Sequence, residues 1–237
     1  MNWMARTLGS SVGRKMLVAL TGLGLLGFVI THMLGNLQLF LGPEALNSYA
    51  KSLKDLGGLL WVARGGLIVM FVVHVGLALK LAAENRAARP DRYEVPGRVQ
   101  STLGARSMVL TGLMILLFVL YHLAHFTWGI TNPEHTTYVE AVMTPTGPVN
   151  RHDVYTMVVL GFQQPLIAGL YIAAMALLCV HLSHGVQSVF QSLGLNHPKY
   201  EPTLHKLGLG LAWIIFIGNT SMPVAVLAGL VDLPAGA

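Results

Sequence analysis

The chain has 237 residues, 54% of them apolar and only 11% charged, with a net charge of +5. A soluble domain carries about 25% charged residues, so this composition belongs to the membrane class. The single cysteine, Cys179, excludes a disulfide framework, a cysteine-ligated iron–sulfur cluster and a C-x-x-C-H haem attachment within the chain. The basic residues gather in separate loops rather than one patch, a pattern of membrane orientation and not of nucleic-acid binding.

The N-terminal MNWMARTLGSSVGRK is positive and leads into an apolar run. That run is too long for a signal-peptide core and no small-residue cleavage site closes it, so a retained first membrane helix is expected. Five spans are predicted in all, over residues 15–41, 59–83, 105–130, 156–190 and 206–231. Each is long enough to cross about 30 Å of hydrocarbon at about 1.5 Å per residue. The stretch TNPEHTTYVEAVMTPTGPVNRHD reads as an extramembrane loop from its proline, glycine and threonine content. No internal repeat or low-complexity tract is apparent. The expected architecture is one all-α transmembrane domain filling residues 1–237.

Orientation follows from lysine and arginine. Arg6, Arg14 and Lys15 precede the first span, six more lie between Lys80 and Arg106, and Lys199 and Lys206 follow the fourth. The other side holds only Lys51, Lys54, Arg64 and Arg151. The positive-inside rule therefore places the N-terminus in the cytoplasm and the C-terminus outside.

An imidazole in hydrocarbon is costly unless something binds it. Span one carries His32, span two His74, span three His122 and His125, and span four His181 and His184, whereas the interior of span five carries none. His32 and His122 each fall about 17 residues into an outward-running span, or roughly 26 Å along it, near the outer face. His74 and His181 each fall about nine residues from the end of an inward-running span, toward the inner half. Two pairs at two depths follow, His32 with His122 and His74 with His181, each able to clamp one metal centre. A lone membrane histidine is more often a packing residue. Four, one per helix and matched in depth, are poorly explained that way. His125 and His184 sit three residues further on, about 60° round the helix, and spacing does not choose between the members of each doublet. Gly35 and Gly185 lie near the histidine face, where a flat macrocycle needs a bare helix surface, although glycine is common in membrane helices for packing reasons.

The stretch GFVITHMLGNLQLFLGPEALNSYAKSL, followed by FVVHVGLALKL, LLFVLYHLAHF and LCVHLSHGV, resembles the dihaem cytochrome b membrane anchor of succinate dehydrogenase and fumarate reductase, in its single-chain, five-helix form. The resemblance runs over nearly the whole chain. It implies one axial ligand on each of the first four helices, and motif matching selects His122 from YHLAHF and His181 from VHLSHG. It implies two b haems in a bundle of the first four helices, an inner one on His74 and His181 and an outer one on His32 and His122. It further implies a flavoprotein and an iron–sulfur subunit as partners, menaquinone or another quinone as substrate, and the bacterial cytoplasmic membrane as location. It also implies that the complex as a whole can form a higher oligomer. The chain is not expected to catalyse succinate chemistry alone. Bis-histidine ligation fills both axial positions and suits iron to electron transfer.

Further candidates are Ser11 and Arg14 at the start of span one, as contacts for a propionate or quinone carbonyl, and His125 and His184, as contacts for propionates, water or loop backbone. Asn36, Glu44, Asn47 and Tyr49, with Asp55, are candidates for a quinone or its proton relay. Some members of the resembled family place a glutamate two residues before the fourth-helix ligand. Here that position is Cys179, which puts proton coupling by that route in doubt. A b-type cytochrome with two histidines per helix, and a haem-free transporter whose histidines line a polar path, are the alternatives.

Overall fold

The computed structural model describes residues 9–88, 103–145 and 147–234. Arg6, Arg89, Arg92 and Arg98, used in the orientation argument, lie outside them.

Helix α1, Ser11–Asn36, opens where the Ser10 hydroxyl accepts a hydrogen bond from the Gly13 N–H at 3.1 Å. It passes into a 3-10 turn, Leu37–Leu41, and then reverses at Gly42 (φ +96°). Helix α2, Pro43–Asp55, starts with proline in its first turn, where the missing N–H costs no bond. Helix α3 covers Gly58–Ala87 and α4 covers Leu103–Phe126. Strands β1, Val139–Thr144, and β2, Gly147–His152, form an antiparallel hairpin with Glu140 opposite Arg151. Helix α5 is Val154–Phe162, α6 is Pro165–Ser192 and α7 is Glu201–Leu227.

Five helices are long and apolar enough to cross a membrane, and they coincide with the five predicted spans: Ser11–Leu41, Gly58–Ala87, Ala105–Phe126, Pro165–Ser192 and Glu201–Leu227. Three details differ from expectation. The segment after span one folds as α2, because its charged and apolar residues alternate at helical spacing (Glu44, Lys51, Asp55 against Leu46 and Leu53). Span three stops at Phe126 rather than 130. There Gly129, at φ +63°, turns the chain back, and the Trp128 N–H reaches the Leu123 carbonyl at 2.8 Å. Span four does not begin at 156: α5 ends at Phe162, and Pro165, which has no N–H to continue the ladder, starts a separate helix.

By backbone contact the chain divides into two units. The first comprises Met1–Val29, Ala63–Leu113 and Leu177–Ile214; the second comprises Ile30–Val62, Met114–Ala176 and Ile215–Ala237. The second unit contains a buried apolar cluster that includes Leu39, Leu46, Tyr155, Val159, Phe162 and Tyr171. Its extended backbone contacts are those of the hairpin and of α2 with the 3-10 turn, α5 and β2. Helix α3 has no buried residue, as suits a span whose outward faces meet lipid. Buried Pro223 within α7 deprives the Asn219 carbonyl of its usual partner. Near this point the Asn219 amide, Thr220 and Ser221 bond back to carbonyls of the same helix.

Candidate functional site

The four depth-matched histidines separate cleanly between the units. His74 of α3 and His181 of α6 belong to the first, His32 of α1 and His122 of α4 to the second.

In the first unit the Nδ1 of His74 lies 3.1 Å from the Val18 carbonyl and 3.4 Å from the Thr21 hydroxyl. A carbonyl only accepts, so Nδ1–H donates and Nε2 keeps the lone pair. The ring lies against Gly22, where a Cβ would stand 3.0 Å from His74 Cε1. His181 is held the same way on the other helix pair. Its Nδ1 is 3.2 Å from the Thr111 hydroxyl, it bonds the Met108 backbone, and a Cβ on Gly112 would stand 3.4 Å from its Cε1. His74 and His181 are within electrostatic range of one another.

In the second unit the rings of His32 and His122 meet edge to face, with centroids 5.7 Å apart. Imidazole nitrogens bond metal ions at about 2.0–2.1 Å, so two rings bracketing one ion stand roughly 6 Å apart between centroids. Asn36, one turn beyond His32, places its amide nitrogen 3.2 and 3.3 Å from that ring's two nitrogens. The Tyr171 hydroxyl lies 3.3 Å from His122 Nδ1 and 3.0 Å from His125 Nδ1. His125 is fully buried, with its ring 5.1 Å from that of buried His135. It is His122, not His125, that makes the ring contact with His32. The doublet left open by spacing is thus divided here: one histidine faces the opposing helix, and the other is packed among Tyr121, Phe126, His135 and Tyr171.

The remaining candidates fall into two places. Arg14 pairs with Glu84 of α3 at 2.9 Å and keeps one buried nitrogen, Nε, without a partner; Ser11 is exposed at the start of α1. His184 bonds Ser188 through Nε2 at 3.0 Å, and its Nδ1 has no partner. All of these are in the first unit. In the second unit, Tyr49 packs its ring on Gly35, where a Cβ would come within 2.6 Å of it. Asn36 and Tyr49 therefore stay close to the His32 turn.

Glu44 and Asn47 are engaged elsewhere. Buried Asn47 donates to Glu140 and Asp153 at 2.7 and 2.9 Å and accepts from the Tyr155 N–H at 2.9 Å. Asn47 thereby ties α2 to the hairpin and to the start of α5, and all its polar atoms are used. Buried Arg151 bridges Glu44, Glu140 and Ser48. Hydrogen bonds from Arg151 and Ser48 hold the Glu44 carboxyl below its usual range. Burial works against the Asp153 carboxylate, but bonds from Thr156 and Asn47 outweigh it and hold its pKa low. Asp55 pairs with Lys51 at 2.7 Å one turn away.

The structure exposes a signal that contradicts the expectation of no internal repeat. Leu20-Thr21-Gly22-Leu23 and Leu110-Thr111-Gly112-Leu113 stand at an offset of 90, and the same offset carries Leu26 to Leu116, Phe28 to Phe118, Val29 to Val119 and His32 to His122. The carbonyls that hold the first-unit histidines, Val18 and Met108, obey it too. Helices α1 and α4 are thus a repeated element, each bearing one histidine of the second pair and the Thr-Gly seat for one histidine of the first. The repeat spans little more than one helix and its leucines are common in any span, which is why composition conceals it.

Among the described residues no three histidine, cysteine, aspartate or glutamate side chains gather to hold a bare metal ion. Each pair offers two imidazoles and no carboxylate, a donor set that suits a metal already ringed by a macrocycle and open at two axial positions. The glycines under His74 and His181 keep the helix surface flat beside the first pair. No protein-family model, curated protein or solved structure matches the chain.

Proposed function

We propose that this chain is the dihaem cytochrome b membrane anchor of a succinate:quinone oxidoreductase or quinol:fumarate reductase in a bacterial cytoplasmic membrane. The observation that carries the reading is the division of four span histidines, one per helix, into two pairs of which each lies within one unit. His74 and His181 would hold one b haem, His32 and His122 the other. When bound, each haem would supply one-electron redox chemistry, with the two histidines of its pair as the residues that would hold it.

The chain's own residues supply position and environment. The Val18 carbonyl fixes the ring tautomer of His74, the Thr111 hydroxyl seats His181, and apolar spans keep the pairs dry. Arg14, with its unpartnered buried nitrogen, suits a propionate. Asn36 and Tyr49 offer polar groups beside His32 for a quinone. With the N-terminus cytoplasmic, the His74/His181 pair would face an iron–sulfur subunit that receives electrons from a flavoprotein.

A haem-free transporter is the second reading, since repeated helices also build transporters. Against it, no Asp, Glu, Lys or Arg occurs from Met16 to Phe40, Gly65 to Leu79, Ser107 to Phe126 or Pro165 to Ser192. A pyridine-haemochrome assay with a reduced-minus-oxidised spectrum on the detergent-purified chain separates the two. Two b haems per polypeptide are expected. A colourless protein from haem-replete cells would return the histidines to packing or transport.

A further inference from the structure

We propose that Thr21 and Thr111 are matched positioning residues that set the reduction potential of the His74/His181 centre by accepting hydrogen bonds from its two axial imidazoles. The inference rests on the haem reading above and deepens it.

The case starts from where the hydroxyl protons go. Thr21 Oγ1 donates back to the Leu17 carbonyl at 2.6 Å, and Thr111 Oγ1 donates to the Ser107 carbonyl at 3.0 Å, each four residues earlier. A threonine in a membrane helix commonly makes that bond to satisfy itself, and nothing more need follow. Here the commitment has a consequence. With its proton used, each hydroxyl turns only lone pairs toward the ring nitrogen of the opposing histidine, 3.4 Å away at His74 and 3.2 Å at His181. The His74 Nδ1–H is then shared between the Val18 carbonyl and the Thr21 hydroxyl oxygen, and His181 Nδ1 faces the Thr111 hydroxyl oxygen beside the Met108 backbone. Acceptors on the far nitrogen raise the basicity of the metal-bound nitrogen and fix the ring plane. A more basic ligand favours the oxidised, more highly charged iron.

Coincidence is a poor account of the match. The carbonyl that accepts the hydroxyl proton, the residue after it, the threonine and the glycine recur together at the 90-residue offset: Leu17, Val18, Thr21 and Gly22 against Ser107, Met108, Thr111 and Gly112. Around the other pair the neighbours differ in kind, with Asn36 beside His32 and Tyr171 beside His122. The inner centre is therefore set by two equivalent hydroxyls.

The test is a redox titration of the full-length purified chain in a His122→Ala background, which leaves only the His74/His181 haem to be read. Thr111→Val and Thr21→Val keep side-chain shape and remove the acceptor. Each should shift the reduction equilibrium toward reduced iron by roughly three- to tenfold, the worth of about one hydrogen bond. Thr111→Val should show the larger shift because its contact is shorter. Thr111→Ser and Thr21→Ser should restore the parent value. Unchanged potentials in the Thr21→Val/Thr111→Val double variant overturn the proposal while leaving the dihaem reading intact. Loss of haem from the serine variants overturns it as well, because a hydroxyl would then not be what is required. A parent chain without haem overturns the functional reading itself, and this inference with it.

Discussion

His32 and His122 stand 90 positions apart in the chain, yet their rings meet at 5.7 Å between centroids and 83° between planes. His125, one turn from His122, makes no such contact and spends Nδ1 on Tyr171. This asymmetry makes the doublet testable. His122→Ala and His32→Ala should each leave one haem per chain by pyridine haemochrome, whereas His125→Ala should retain two. A His125→Ala variant with one haem and a His122→Ala variant with two would reverse the assignment.

Gly22 gives a steric prediction. A Cβ there would stand 3.0 Å from His74 Cε1, whereas a Cβ built on Gly27, on the same helix, would meet no atom of a neighbouring segment within 4 Å. Gly22→Leu should push His74 off its carbonyl and halve the haem absorbance. Gly27→Leu should leave the spectrum unchanged. Equal spectra for the two would mean that the ring does not need that surface.

Asn47 predicts a local stability effect. Its truncation removes bonds to Glu140, Asp153 and the Tyr155 N–H and leaves those groups inside a buried joint. Asn47→Ala should lower the opening free energy of the hairpin and α5 by about 2–3 kcal/mol. Hydrogen exchange over residues 139–156 reads this directly. The exchange of α3 should stay the same.

The same joint should respond to acid in two stages. Burial is the main reason His152 titrates below the ordinary histidine value of 6.5, so the folded joint favours the neutral ring. A depressed folded pKa contributes stability above pH 6.5 that is lost as pH falls through the folded value. Glu44 and Asp153 are likewise depressed, from 4.5 and 3.8, so their contribution persists until the solution is more acidic than those values. Protection factors over residues 139–156, that is, exchange corrected for its intrinsic pH dependence, should therefore fall first below pH 6.5 and again below about pH 4. His152→Gln should abolish the first stage and keep the second.

The positions of the five spans and the place of each histidine along its span were legible in the sequence. Hydropathy marks where a chain enters and leaves hydrocarbon, and a rise of about 1.5 Å per residue converts position into depth. Rotation about each helix axis was not legible. These helices are apolar on nearly every face, because lipid outside and packed side chains inside look alike to a hydropathy pattern. No stripe therefore showed that His122 rather than His125 turns to His32, or that Thr21 and Thr111 sit beneath His74 and His181. Contacts between distant segments decided those points.

Outside the spans the division is similar. The polar stretch before span four announced a loop, but pairing Glu140 with Arg151 across a hairpin depends on Asn47 and Glu44 from a helix about a hundred residues earlier. By itself the sequence determined five apolar spans and the place of each histidine along them, since hydropathy is a property of each segment alone. Tertiary structure alone decided which nitrogens face which acceptors, because a hydrogen bond is fixed by the relative rotation and separation of two helices, which no single segment encodes.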